Sequence, residues 1–167
     1  MSAVSLRPYL PSDAERCAAI FRASVEELAI EDYSVEQCAA WAARADEPDF
    51  PKRLAGALTL VAIVDGEPVG FASLKGAETI DTLYVDPDFA RRGVATALLD
   101  ALVRLAAARG AKTLASDVSD TARPLFERQG FQAQRRNLVQ LDDEWLANTT
   151  MTKRLAPQSD ATEPVRH

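Results

Sequence analysis

An α/β fold, with a mixed, twisted sheet of about seven strands flanked by about four helices in a single domain, is what this 167-residue sequence predicts. Three observations carry that expectation. Short apolar runs suited to strands alternate with segments whose apolar residues recur at three and four. The stretch from Leu83 to Ala108 passes from a strand through an arginine-glycine turn into a long amphipathic helix. Finally, 47% of the residues are hydrophobic, enough to close one core in a chain of this length.

The first element is a short strand, Val4 to Arg7. Ser12-Asp13-Ala14-Glu15 then reads as a capping box, in which serine and glutamate satisfy each other's backbone N–H groups and start a helix. Its apolar stripe is Ala14, Cys17, Ala18, Phe21, Val25 and Leu28. Ser34 with Gln37 opens a second helix carrying Val35, Cys38, Ala39 and Ala42. A polar segment containing Pro48 and Pro51 leads to a hairpin, with strands Leu58 to Val64 and Pro68 to Leu74 joined at Asp65-Gly66. Ile80 to Val85 is the next strand. A helix from about Gly93 to Arg109 ends at Gly110, a strand spans Thr113 to Val118, and a helix from Ser119 to Gln129 ends at Gly130. Two strands close the domain, Phe131 to Val139 and Leu146 to Leu155. The domain is therefore expected over residues 1–155, and residues 156–167, with two prolines and no apolar period, as a disordered tail.

Composition removes several function classes. A net charge of -6 and a pI near 4.9 leave no basic stripe for a nucleic-acid backbone, and lean toward a neutral or cationic substrate. No run of 18 apolar residues is present, so no membrane partner is expected. The start M-S-A-V-S-L-R-P lacks the regions of a signal peptide, which predicts a cytoplasmic protein. Cys17 and Cys38 have neither metal nor redox spacing and fall on apolar helix stripes, as buried small hydrophobes do. The only histidine is His167, so no Ser-His-Asp triad, Cys-His nucleophile or His-ligated metal can be built inside the fold, and no metal is expected. Chemistry falls to carboxylates, hydroxyls, backbone groups or a reactive cofactor from solution.

The glycine turn has the layout of an anion site. Gly93 lets the backbone approach a ligand, the free N–H groups of Val94, Ala95 and Thr96 and the positive end of the helix dipole face it, and Arg91 and Arg92 add charge.

In this order of elements, two motifs resemble the GCN5-related N-acetyltransferase (GNAT) family, whose members transfer an acyl group from acyl-coenzyme A to an amine. The likeness spans roughly residues 4–155. Ala90-Arg91-Arg92-Gly93-Val94-Ala95 matches the family's Q/R-x-x-G-x-G/A turn, with Ala90 in place of the first Gln or Arg. The run from Ser119 to Phe131, S-D-T-A-R-P-L-F-E-R-Q-G-F, resembles N-x-x-A-x-x-F-Y-E-x-x-G-F. Ser119 replaces the asparagine, and Phe126 replaces the tyrosine that in many members protonates the departing thiolate.

The resemblance implies acetyl-coenzyme A as co-substrate and no metal. It implies a cofactor site made of the Leu83 and Val85 backbone, Arg91, Arg92, Gly93, Val94, Ala95, Thr96, Ser119 and Phe126. The strand around Leu83 and Val85 would hold the pantetheine arm like an added strand and supply the oxyanion donor. For the base, the two-residue strand period puts Asp81 on one face with Thr79, Leu83 and Val85, making it the first choice. Glu78 is the runner-up, and the family's usual catalytic glutamate falls near Thr79, between the two. Tyr33 lies in the connection that shapes the acceptor pocket in proteins of this kind and is the remaining catalytic candidate. Trp41, Tyr84 and Trp145 are expected as packing aromatics.

The expected reaction is N-acetyl transfer to a primary amine, small molecule or peptide, by direct attack in a ternary complex. The alternative, prompted by Phe126 and Ser119, is a module that binds acetyl-coenzyme A without turnover. The edge of the final hairpin can pair with a partner, which would make a homodimer, or be capped within the chain.

Overall fold

The computed structural model describes residues 3–155, so the tail expected over 156–167 lies outside the described residues. β1 (Ser5–Pro8) leads into α1 (Ala14–Glu27), but the turn between them is not closed by Ser12 and Glu15. Asp13 closes it. Its Oδ2 accepts the Leu10 N–H at 2.8 Å, and its two oxygens take the Arg7 guanidinium at 2.8 and 2.9 Å. A short 3-10 turn over Pro11–Asp13 delays the helix by a residue, and a part-buried, charge-assisted pair wins over a neutral hydroxyl cap. The second capping box forms as predicted. Ser34 Oγ accepts the Gln37 N–H at 3.0 Å, Gln37 Oε1 accepts the Ser34 N–H at 2.8 Å, and α2 (Val35–Ala42) follows.

A fifth helix, α3 (Asp49–Ala55), occupies the proline-bearing segment, where the sequence predicts none. Pro48 and Pro51 do not break it. They sit at its cap and in its first turn, where a backbone N–H has no intrahelical partner to lose. Phe50 and Leu54 anchor it in the core at 3% and 1% exposure.

The remaining elements are β2 (Leu58–Val64), β3 (Glu67–Lys75), β4 (Thr79–Val85), α4 (Val94–Ala108), β5 (Thr113–Ser119), α5 (Arg123–Arg128), β6 (Gln132–Leu141) and β7 (Glu144–Arg154). The seven strands form one mixed sheet in the order β1-β2-β3-β4-β5-β7-β6. Every neighbouring pair is antiparallel except β4 and β5. Those two touch in parallel only at Thr79 with Ala115 and Ile80 with Ser116, and separate beyond. α5 begins at Arg123 rather than Ser119, because Ser119 completes β5 and Pro124 suits only a helix's first turn.

Apolar layers cover both faces of the sheet. On one, Leu98, Leu99, Leu102 and Ala106 of α4 bury against a layer that includes Ala72, Leu74, Val85, Leu114 and Met151. On the other, Ile20, Phe21, Val25, Phe50 and Leu54 of α1 and α3 pack with Val61, Phe71 and Leu146, and both cysteines are buried there as expected. The start of α4 lies hard against β3. A Cβ on Gly70 would meet Tyr84 O and Val94 Cγ1 at 3.1 Å, so that position sets how closely the first residue of α4 approaches the sheet.

Candidate active site

The fork between β4 and β5 is where the sheet opens. Asp86 N–H bonds Val69 O at 2.8 Å, and antiparallel alternation then aims the backbone of Tyr84 and Thr82 at β3 and that of Leu83 and Val85 at the open side. Two cavities meet along this edge. One, of about 360 Å³, is lined by Leu83, Val85, Phe89, Arg91, Gly93 and Thr96, among others. The other, of about 300 Å³, lies under α1, α2 and α3. Trp41, Leu83, Tyr84, Ser119 and Ala122 line both, so they form one trough across the fork.

The larger cavity ends at the N-terminus of α4. Gly93 has φ +83°, the left-handed region that favours glycine, and nothing lies within 4 Å of where its Cβ would be. Arg91, at φ +64°, holds the same conformation with a side chain, a strained arrangement of the kind that clusters at binding sites. No side chain caps α4, and its first intrahelical bond runs from Ala97 N–H to Gly93 O. The N–H groups of Val94, Ala95 and Thr96 therefore precede the helix ladder, and Ala95 and Thr96 line the cavity. These features fit a bound pyrophosphate. The two predicted arginines divide. Arg91 lines the cavity, whereas the Arg92 guanidinium sits 5.2 Å over the Phe89 ring and is outside the lining.

Asp81 is not on the face the strand period predicts. Ser73 pairs with Thr82 but Leu74 with Ile80, leaving Asp81 as the extra residue of a β-bulge. Leu83 and Val85 belong to the α4 layer, while Asp81 meets Arg53 of α3 across the sheet, with Arg53 Nε and Nη2 donating to Oδ2 at 3.2 and 3.1 Å. It still lines the smaller cavity. Glu78 does not. It lies exposed in the turn before β4 and lines neither cavity.

Tyr33 lines the smaller cavity, but its hydroxyl is committed: it donates to Ala147 O at 2.6 Å and accepts from Asp120 N–H at 2.9 Å. Burial raises its pKa, partly opposed by the Asp120 N–H. Burial also pushes the Tyr84 hydroxyl up to about 12, against a hydrogen bond from Trp41. Both are thus neutral at ordinary pH, and Tyr33 clips β7 to the turn after β5. Arg136, gripping both Asp120 oxygens, braces the same turn and holds that carboxyl below its usual range. Ser119 Oγ accepts the Ala122 N–H at 3.1 Å, and Phe126 is 2% exposed with its ring 5.0 Å from that of Phe131. No hydroxyl stands at position 126.

Arg44, Arg53 and Asp117 also line the smaller cavity and were not singled out from sequence. Arg53 rides on the unpredicted helix. Asp117 had a signal, since Leu114 and Val118 alternate inward around it, but its place beside Asp81 follows from the two-residue parallel pairing. Trp41, expected as packing, lines both cavities, whereas Trp145 is exposed. Among the described residues no group of His, Cys, Asp and Glu could hold a metal ion, and no helix is long and apolar enough to cross a membrane.

Known proteins share this architecture. A family model described as an acetyltransferase (GNAT) domain matches residues 29–155. The uncharacterized N-acetyltransferase YafP of Escherichia coli (strain K12) is 39% identical over 158 residues, covering 95% of this chain and 99% of its own. The crystal structure of a GCN5-related N-acetyltransferase from Rhodopseudomonas palustris is 56% identical with a TM-score of 0.90, covering 93% of this chain and 98% of that one. PaiA N-acetyltransferase from Thermoplasma acidophilum, solved in complex with coenzyme A, has a TM-score of 0.75 at 18% identity, a likeness of fold over 91% of this chain and 99% of that one.

Proposed function

Because this chain belongs to the GNAT family of acetyltransferases, we propose that it moves an acetyl group from acetyl-coenzyme A to a primary amine by direct attack in a ternary complex. The observation that carries the proposal is the continuous trough. It joins an uncapped helix N-terminus suited to phosphates, an open strand edge suited to an amide-bearing arm, and a second cavity with a carboxylate in its wall.

Acetyl-coenzyme A supplies the activated acetyl carbonyl. The backbone N–H groups of Val94 to Thr96 and Arg91 bind its phosphates, and the open-side backbone of Leu83 and Val85 takes the arm in the manner of an added strand. One of those N–H groups stabilises the oxyanion. Asp81 takes a proton from the acceptor ammonium, so that the neutral nitrogen attacks, forming the C–N bond as the C–S bond breaks with its electron pair on sulfur. The second amine proton ends on sulfur or in solvent. Phe126 supplies no acid, and a thiolate with a pKa like that of cysteine, about 8.5, leaves without compulsory protonation. An acyl-enzyme is disfavoured. Cys17 and Cys38 line neither cavity, and burial pushes the Cys17 thiol up to about 12.

The test pairs calorimetry with acetyl-coenzyme A and thiol release in the presence of an amine panel. Binding with amine-dependent thiol release is expected. Well-folded protein that fails to bind refutes the proposal; binding without release for any amine leaves a carrier module instead.

A further inference from the structure

The smaller cavity carries charges of both signs, which the acidic balance of the whole chain does not suggest. Its wall holds Arg44, Arg53, Asp81 and Asp117. Asp81 and Asp117 are the next residues after the last paired positions of β4 and β5, Ile80 and Ser116, so two carboxylates flank the mouth of the fork. Opposite them, on the helical layer, stand the two arginines. Arg44 is held by Glu47 at 3.1 Å and Asp142 at 2.9 Å. Arg53 is less constrained, with a side chain 43% exposed and both donating nitrogens converging on one oxygen of Asp81. Asp81 Oδ1 is therefore left clear of Arg53. Between the charges the wall is apolar and aromatic: Phe21, Trp41, Tyr84, Leu141 and Leu146.

We infer that the acceptor is a zwitterion, a free α-amino acid with an apolar side chain, whose ammonium is received by Asp81 and Asp117 and whose carboxylate is received by Arg53. The inference rests on the acetyl-transfer reading of this site and names its substrate class. Adjacency of the receiving groups suits the α spacing. Arg53 and Asp81 stand side by side, 3.1 Å apart without ligand, so two ligand charges that lie close together, as in an α-amino acid, can reach both. The ligand carboxylate replaces Asp81 as the partner of the Arg53 fork, a geometry in which guanidinium prefers two oxygens to one. Asp81 is then turned toward the ammonium whose proton it takes. A cavity of about 300 Å³ is at the small end of ligand sites, suited to one amino acid rather than a folded protein surface.

The experiment is calorimetry on protein saturated with coenzyme A, which cannot acetylate, titrated with L-leucine, L-methionine and L-phenylalanine and with the amide of each. At least one free amino acid is expected to bind about 10- to 100-fold more tightly than its amide, since the amide lacks the charge that Arg53 receives. Arg53→Gln is expected to collapse that ratio toward one, and Arg53→Lys to restore part of it. Equal binding of acid and amide by the wild type, a ratio that survives Arg53→Gln, or no binding of any amino acid overturns the inference, even where other amines are acetylated. Thiol release from acetyl-coenzyme A is followed in parallel. Amino acids that bind with this preference in a protein that releases thiol with no amine of the panel leave the pocket's preference standing and refute the transferase reading; amino acids that bind but are not acetylated while other amines are overturn the inference.

Discussion

Replacing Gly93 by asparagine and by aspartate separates backbone strain from charge at the proposed phosphate site. Nothing lies within 4 Å of an added Cβ, so neither side chain collides with the fold. What both must accept is φ +83°, at a cost of about 1–2 kcal/mol, and asparagine and aspartate tolerate that region better than other non-glycine residues. Against a typical stability of about 5–15 kcal/mol the domain survives either change. Aspartate differs from asparagine by one negative charge at the N-terminus of α4. At about 4 Å from a phosphate that charge costs about 1 kcal/mol in a water-like medium and about 4 kcal/mol at a partly screened surface. Acetyl-coenzyme A should therefore bind Gly93→Asp about 5-fold to several hundred-fold more weakly than Gly93→Asn, while the two variants unfold at similar urea concentrations. Calorimetry and urea titration read both quantities. Equal affinities for the two variants would refute the assignment of phosphates to this helix end.

At Asp81, the asparagine variant should lower kcat/KM by about 10²–10⁴, the range expected for a lost general base; a loss under tenfold would move the proton elsewhere. Tyr33→Phe strands Ala147 O and Asp120 N–H in a part-buried site, so urea unfolding should show a loss of about 2 kcal/mol, with the acceptor KM rising more than kcat falls. An unchanged KM with a kcat lowered through the neutral range, where the wild-type hydroxyl is protonated, would instead make Tyr33 an acid. Asp13 supplies a pH test of the fold. The Arg7 hydrogen bond holds its carboxyl below the ordinary value of 3.8, so its contribution is complete above that value and is lost as pH falls through the lower folded value. Asp13→Asn should therefore be about 2 kcal/mol less stable than wild type at pH 7, and the difference should shrink below about pH 4. A gap that does not shrink at all as pH falls below about 4 would show that Asp13 acts without its charge.

Most strands were legible because burial on two faces leaves apolar runs that end where the chain turns. β2 matches the predicted Leu58 to Val64, and the Ser34 and Gln37 box, like the stop at Gly110, is local chemistry written in adjacent residues. The misses have local causes too. Two prolines concealed α3 because a proline reads as a breaker until its position within the helix is known. Asp13 displaced Ser12 and Glu15 because its partner, Arg7, comes from β1.

By itself the sequence determined the strand-turn-helix at Gly93 and the order of elements around it, because left-handed glycine, helix period and strand period depend on residues close in the chain. It equally determined that no histidine stands among the described residues, 3–155. Tertiary structure alone decided which side Asp81 faces, since the bulge that turns it is a register relation with β3, and which arginine it meets, since Arg53 lies on a helix packed from the other layer. It also decided that Tyr33 is a clip spanning β5 and β7, and that Asp117 stands beside Asp81. These are relations between strands and helices far apart in sequence, brought together by burial of two apolar layers on one sheet, and no local period encodes them.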